Sequence, residues 1–243
     1  MDEDQNRLAD RRGMLLMDFK SFTPEQLLGS LNDVERKNAP ESLHVAGDTE
    51  LLRTGPRVAV IGTRHPSEGG RKRAVFLCRS LVERQVIVVS GLAQGIDTVA
   101  HESAIKSGGR TIAVLGTPLD QTYPKANEGL QKEIMRDHLA VSQFPSGRPS
   151  RPGNFPVRNR TMALLSHATV IVEAGETSGT LHQGWEALRL GRPLFLLESL
   201  VKNEGLKWPR KMVTYGAQVL TRESIETLFE SLPQGTLSAD LPF

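Results

Sequence analysis

Short apolar runs that end in small residues, set between stretches of helical spacing, constrain this chain more than any other feature. Val58-Ala59-Val60-Ile61 closes on Gly62, Val86-Ile87-Val88-Val89 on Ser90-Gly91, and Thr111-Ile112-Ala113-Val114-Leu115 on Gly116. Similar runs follow at 139–141, 169–172 and 193–197, with 218–220 as a short edge strand. Between them Ala74, Leu77, Cys78 and Leu81, and then Val99, Ala100, Ala104 and Ile105, repeat at the spacing of one helix face. Continuous apolar strands alternating with helices indicate a parallel sheet buried on both faces. The expected fold class is therefore α/β, an extended Rossmann-like, doubly wound, mostly parallel sheet with helices on both faces. Residues 1–50 read as an N-terminal extension with a short helix, 51–231 as the domain and 232–243 as a flexible tail. Thr23-Pro24-Glu25-Gln26 is the start of that short helix, with Thr23 as N-cap and Gln26 closing a capping box.

Composition excludes several classes. No apolar run reaches the roughly 18–20 residues of a membrane span, and the acidic start Met1-Asp2-Glu3-Asp4 carries no apolar leader core. The single cysteine, Cys78, rules out an internal disulfide framework and a multi-cysteine metal site. These features set the expectation of a cytoplasmic protein. The glycine pattern G-x-G-x-x-G is absent after the first strand, and no G-x-x-x-x-G-K-[ST] occurs, which disfavours dinucleotide redox and ATP hydrolysis. No catalytic residue, metal ligand set or cofactor is expected. Asp97 and His101 share a helix face but lack a third ligand, and read as a cap and a satisfied polar residue.

The net charge is only +2, but its distribution is uneven. Between Asp137 and Glu173 there is no carboxylate, while Arg148, Arg151, Arg158 and Arg160 all fall there. A second basic cluster runs through Arg57, Arg64, Arg71, Lys72 and Arg73. A solvated basic face would look the same, yet local positive surface is also what a polyanion feels. Ligands of open parallel sheets bind beyond the carboxyl ends of the strands. There this chain carries Gly62-Thr63-Arg64, Ser90-Gly91-Leu92-Ala93-Gln94-Gly95, Gly116-Thr117-Pro118 and Gly175-Glu176-Thr177-Ser178-Gly179-Thr180. Four glycine turns feeding helix N-termini predict a phosphate-binding rim. The run Phe155-Pro156-Val157-Arg158-Asn159-Arg160 adds an aromatic among cations, the combination that single-stranded nucleic acid needs.

These runs, together with Gly108-Gly109-Arg110, Asp120, Tyr123-Pro124, Asn127, Val172-Glu173-Ala174 and the lead-in Val45-Ala46-Gly47-Asp48, are similar to the DNA-processing protein A (DprA/Smf) family. The similarity covers roughly residues 40–230. It implies an extended Rossmann-like domain that binds single-stranded DNA, forms a homodimer and loads a RecA-type recombinase during DNA uptake, without catalytic turnover. Carried over by position, Arg64, Ser90, Gly91, Phe155, Arg158, Asn159 and Arg160 would face DNA. Lys125 would be a further cation on the same rim, and Glu173, Ser178 and Gly179 would complete the pocket wall. Self-association would run through 219–232. The chain departs from the family pattern at Gln143, His182-Gln183-Gly184 and Leu197-Glu198-Ser199, and no winged-helix-like module is expected, so it reads as a minimal or divergent member. Two other readings stand beside this one. One is a sensor that binds a small nucleotide in the same cleft. The other is a nucleoside-monophosphate phosphoribohydrolase, which would need a Glu where this chain has Gln183; an amide is no general base.

Overall fold

In the computed structural model, which describes residues 19–233, every apolar run of the sequence lies in one nine-stranded sheet. The strands are β1 (Lys20–Phe22), β2 (Leu43–Gly47), β3 (Arg57–Gly62), β4 (Ile87–Ser90), β5 (Thr111–Leu115), β6 (Leu139–Ser142), β7 (Ala168–Glu173), β8 (Leu194–Leu197) and β9 (Gln218–Leu220). The helices are α1 (Pro24–Leu28), α2 (Asp33–Asn38), α3 (Glu68–Glu83), α4 (Ile96–Lys106), α5 (Glu128–Asp137), α6 (Asn154–Leu165), α7 (Thr180–Arg189), α8 (Glu198–Val201), α9 (Trp208–Thr214) and α10 (Ile225–Glu230). The sheet order is β1-β2-β6-β5-β4-β3-β7-β8-β9. Strands β3 to β9 pair in parallel, while β1 with β2 and β2 with β6 are antiparallel.

The two faces of each central strand bury different cores, which is why the strands are apolar throughout. Val58 and Val60 of β3 pack with Ala74, Leu77 and Leu81 of α3. Ala59 and Ile61 point the other way, into the layer containing Met162 and Leu165 of α6. Each fully buried Val, Leu or Ile among them contributes about 1.5–3 kcal/mol of transfer free energy.

Two local differences from the sequence reading have physical causes. Val86 is not the first residue of β4. Gln85 sits at φ 57, and the Val86 N–H reaches back 2.9 Å to the Leu81 carbonyl, so both residues close the C-terminus of α3 in a Schellman-type turn. The segment 20–47, read as an extension, supplies β1 and β2 to the same sheet. The helix expected there is α1, with the reciprocal Thr23–Gln26 capping box in place. The expected tail from 234 onward lies outside the described residues.

The chain runs β3-β4-β5-β6 in one direction along the sheet and then crosses back to place β7 on the other side of β3. The reversal opens a crevice between the carboxyl ends of β3 and β7, the place where ligands of this architecture bind.

Candidate functional site

A cavity of about 380 Å³ fills that crevice. Its walls are the turn after β3 (Gly62, Thr63, Arg64), the first turns of α6 (Phe155, Pro156, Arg158, Asn159) and the loop after β7 (Gly175, Thr177, Ser178, Gly179). Asp97 and Gln183 line its inner end. Six of the residues expected at the site therefore meet around one space: Arg64, Phe155, Arg158, Asn159, Ser178 and Gly179.

They do so in different capacities. Arg64 is exposed, lies 5.9 Å from the centre of the Phe155 ring and has no carboxylate within 4 Å among the described residues. Phe155 also touches Tyr123, with ring centres 5.4 Å apart and planes tilted by 53°. Tyr123 is half in solvent, 52% exposed. Two aromatic rings beside an unneutralised guanidinium make a platform on which a base can stack. Tyr123 was legible in the Tyr123-Pro124 motif, but nothing in the local sequence assigns it to this platform.

Arg158 differs from the expectation that it faces DNA. It is buried, and its Nη1 donates to the Gly91 carbonyl at 2.5 Å and the Val114 carbonyl at 2.7 Å. Its Nε donates to Asn159 Oδ1 at 3.0 Å. Beneath it Asp97 is buried in turn. Burial pushes the Asp97 carboxyl up, and Arg158 and the Ala93 and Gly91 amides pull against that. Burial likewise lowers Arg158, while Asp97 opposes the change. This pair ties α4, α6 and the ends of β4 and β5 into one unit that carries Phe155 at its mouth.

The glycine turns divide the same way. A Cβ on Gly91 would overlap the Arg158 guanidinium, with Cζ 2.5 Å away, and one on Gly116 would lie 2.6 Å from Phe155 Cδ1. Both glycines admit the protein's own side chains, not a phosphate. Ser90 is fully buried and its hydroxyl donates to the Val60 carbonyl at 2.7 Å. Gly175 and Gly179 instead face open space, so of the four turns only the 175–179 loop has glycines unfilled by neighbouring atoms among those described.

Besides Ser90 and Gly91, three further expected contacts lie outside the cavity wall. Glu173 turns toward the start of α3, accepting from the Ser67 N–H at 2.8 Å, the Ser67 hydroxyl at 2.6 Å and Arg73 at 3.1 Å. Arg160 pairs with Glu186 of α7 at 3.2 Å, and Lys125 with Glu128 at 2.6 Å. Gln183 is fully buried, its amide spanning the Asn159 carbonyl and the Ala163 N–H. His101 is a core residue bonded to the Thr111 hydroxyl at 2.7 Å. Burial, with His138 and Arg158 nearby, lowers its pKa to about 3. Among the described residues no cluster of His, Cys, Asp and Glu could hold a metal ion, and no helix is long and apolar enough to cross a membrane.

The family model of DNA recombination-mediator protein A matches residues 20–233. The chain belongs to this family. It is 32% identical over 204 residues to DNA processing protein DprA of Bacillus subtilis, covering 84% of this chain and 68% of that one. It is 39% identical over 184 residues to the Streptococcus pneumoniae protein, covering 76% and 64%. Against Protein Smf of Escherichia coli it is 35% identical over 215 residues, covering 88% and 55%. The chain thus spans between about half and two thirds of the length of these relatives. Among solved structures, S. pneumoniae DNA processing protein A superposes with a TM-score of 0.73 at 35% identity, covering 90% of this chain and 75% of that one. Helicobacter pylori DNA processing protein A, described for its single-stranded DNA binding mode, gives 0.74 at 30% identity, covering 88% and 98%. The domain is therefore the Rossmann-like domain of this family. A molybdenum cofactor binding protein from Rippkaea orientalis, at 20% identity and a TM-score of 0.55, covering 74% and 98%, shares the fold.

Proposed function

We propose that this domain binds single-stranded DNA at the β3–β7 crevice and acts as a mediator in DNA uptake or recombination, without chemical turnover. The carrying observation is the exposed Arg64 beside the Phe155–Tyr123 ring pair at the mouth of the crevice. Exposed rings can stack with unpaired bases, and a base inside a duplex offers no free face to them. The Helicobacter relative described for binding single-stranded DNA has the same fold. The 175–179 loop offers phosphate the open side of the cavity, and Asn159 holds it through a 3.3 Å bond to the Gly179 carbonyl. The hydrolase reading gains no support: Gln183 is occupied by backbone groups, and Glu186 is engaged by Arg160 and Arg189.

The same reading carries a RecA-type recombinase as protein partner and self-association through 219–232. Strand β9 is a sheet edge with Val219 37% exposed, a surface open to pairing. Fluorescence anisotropy with a labelled oligonucleotide and its matching duplex tests the proposal. Single strands should bind, the duplex should not, and Arg64→Ala should flatten the salt slope by about 0.7. Equal affinity for both forms, or an unchanged slope, would overturn it. A mononucleotide competing at concentrations where an oligonucleotide does not would favour the sensor reading instead.

A further inference from the structure

Outside the crevice, one surface repeats the combination of cations and exposed rings. From Lys202 through Tyr215 four cations, Lys202 included, stand against a single carboxylate, Glu204. Lys207, Arg210 and Lys211 are all exposed, and none of their side-chain nitrogens has a carboxylate within 4 Å among the described residues. Lys211 Nζ lies 5.9 Å from the centre of the Trp185 ring. Trp185 meets Tyr215 edge to face at 5.3 Å. Tyr215 is 64% exposed, unusual for a large ring.

This surface is continuous with the proposed site. The Lys207 N–H donates to Glu176 Oε2 at 3.0 Å, and Glu176 belongs to the loop whose neighbours Gly175, Thr177, Ser178 and Gly179 wall the cavity. Helix α7 starts at that wall and leads to Trp185 five residues on, about 7–8 Å along its axis. The α7–α9 contact is close, since a Cβ on Gly184 would lie 3.1 Å from Met212 Cε. A strand leaving the crevice over the 175–179 loop would meet Lys207 first, then Lys211, with the Trp185–Tyr215 pair beside it.

We propose that the α7–α9 surface is a second contact zone for the same single strand, with Tyr215 as its base-stacking ring and Lys207 and Lys211 as its phosphate contacts. This rests on the reading of the crevice as a DNA site and sets a strand length: short oligonucleotides would use the crevice alone, longer ones both zones. The experiment measures affinities of a short and a long oligothymidine for wild type, for Tyr215→Ala with Lys211→Ala, and for Arg64→Ala. The expected result is a loss of roughly 5- to 100-fold for the long strand in the first variant, with the short strand unchanged. Arg64→Ala should weaken both. As a check independent of affinity, the long strand should quench Trp185 fluorescence and the short one should not, with Trp185→Phe removing the signal. Long-strand affinity and quenching unaffected by the paired substitution would overturn the second zone while leaving the crevice intact. A wild type that binds neither strand would overturn both.

Discussion

Arg158→Ala and Arg64→Ala remove the same side chain from the same cavity, yet the structure assigns them opposite consequences. Arg158 is buried and gives three hydrogen bonds, two of them to the Gly91 and Val114 carbonyls. Its removal leaves those buried acceptors without their charged donor, at about 1–3 kcal/mol each. It also leaves Asp97 without its main compensating charge, and breaking a buried pair costs about 3–5 kcal/mol. These contributions overlap, so the expected loss of stability is about 3–5 kcal/mol in total, roughly 6–20 °C in Tm for a domain of this size. Arg64 is exposed and unpaired, so its loss should change stability by no more than about 0.5 kcal/mol. Thermal melting at pH 7.5 reads the first effect, and oligonucleotide anisotropy well below either transition reads the second. Arg64→Ala should melt like wild type and bind DNA weakly. Should Arg158→Ala melt within about 2 °C of wild type while losing DNA affinity, the assignment of Arg158 as a scaffold would be wrong and its guanidinium would be a phosphate contact after all.

Three further outcomes follow from the same geometry. Gly116→Ala would push against the Phe155 ring, displacing the stacking platform, and should weaken single-strand binding by about fivefold or more; unchanged affinity would remove Phe155 from the site. His101 is neutral in the fold, with its pKa near 3, against about 6.5 when unfolded. The stability it contributes is complete above pH 6.5 and drains away as pH falls toward 3, by about 2 kcal/mol at pH 5. Burial and Arg57 also lower His167 to about 3, so urea melts at pH 7.5 and 5.0 should differ by more than that in the wild type, and by about 2 kcal/mol less in His101→Gln. Burial raises the Cys78 thiol to about 12, so a thiol reagent at pH 8 should label the chain only as fast as it unfolds; immediate labelling of native protein would contradict the packing of α3.

The parallel sheet was legible because its signal is collective. Strands β3 to β8 each bury both faces, so each shows as an apolar run, and the helices between them supply the second period. Strands β1 and β2 were not legible as sheet members. Lys20-Ser21-Phe22 is a three-residue edge, and Leu43–Gly47 carries His44 and ends on Gly47 at φ 106. β2 is a strand because it pairs with β6, almost one hundred residues away along the chain, and β1 because it pairs with β2. The site was legible as a neighbourhood and less so as a set of roles. Phe155 and Arg64 come together because β3 and β7 flank the sheet's reversal point, which the order of elements implies. Which glycines face a ligand is not written locally. Gly91 and Gly116 look like Gly175 and Gly179 in sequence, and differ only because Arg158 and Phe155 arrive from α6 to fill the space above them.

That difference changes the electrostatics expected of the rim. The acid-free stretch from 138 to 172 holds four arginines, and a count from sequence would assign all four to phosphates. Arg158 is spent on buried carbonyls and Arg160 on Glu186. Arg148 and Arg151 remain exposed, without a carboxylate within 4 Å among the described residues, and Arg64 in the turn after β3 is a third such cation. A strand held at the crevice that reaches all three cations would show a salt slope near −2, and one that meets Arg64 alone, the exposed arginine of the crevice wall, a slope near −0.7. Binding would then depend on the rings as much as on charge, and would survive salt that strips a purely electrostatic groove. A slope steeper than about −3 on a short oligonucleotide would mean that more cations reach phosphate than this geometry allows, and that the ion pairs of Arg160 or Lys125 open when DNA arrives.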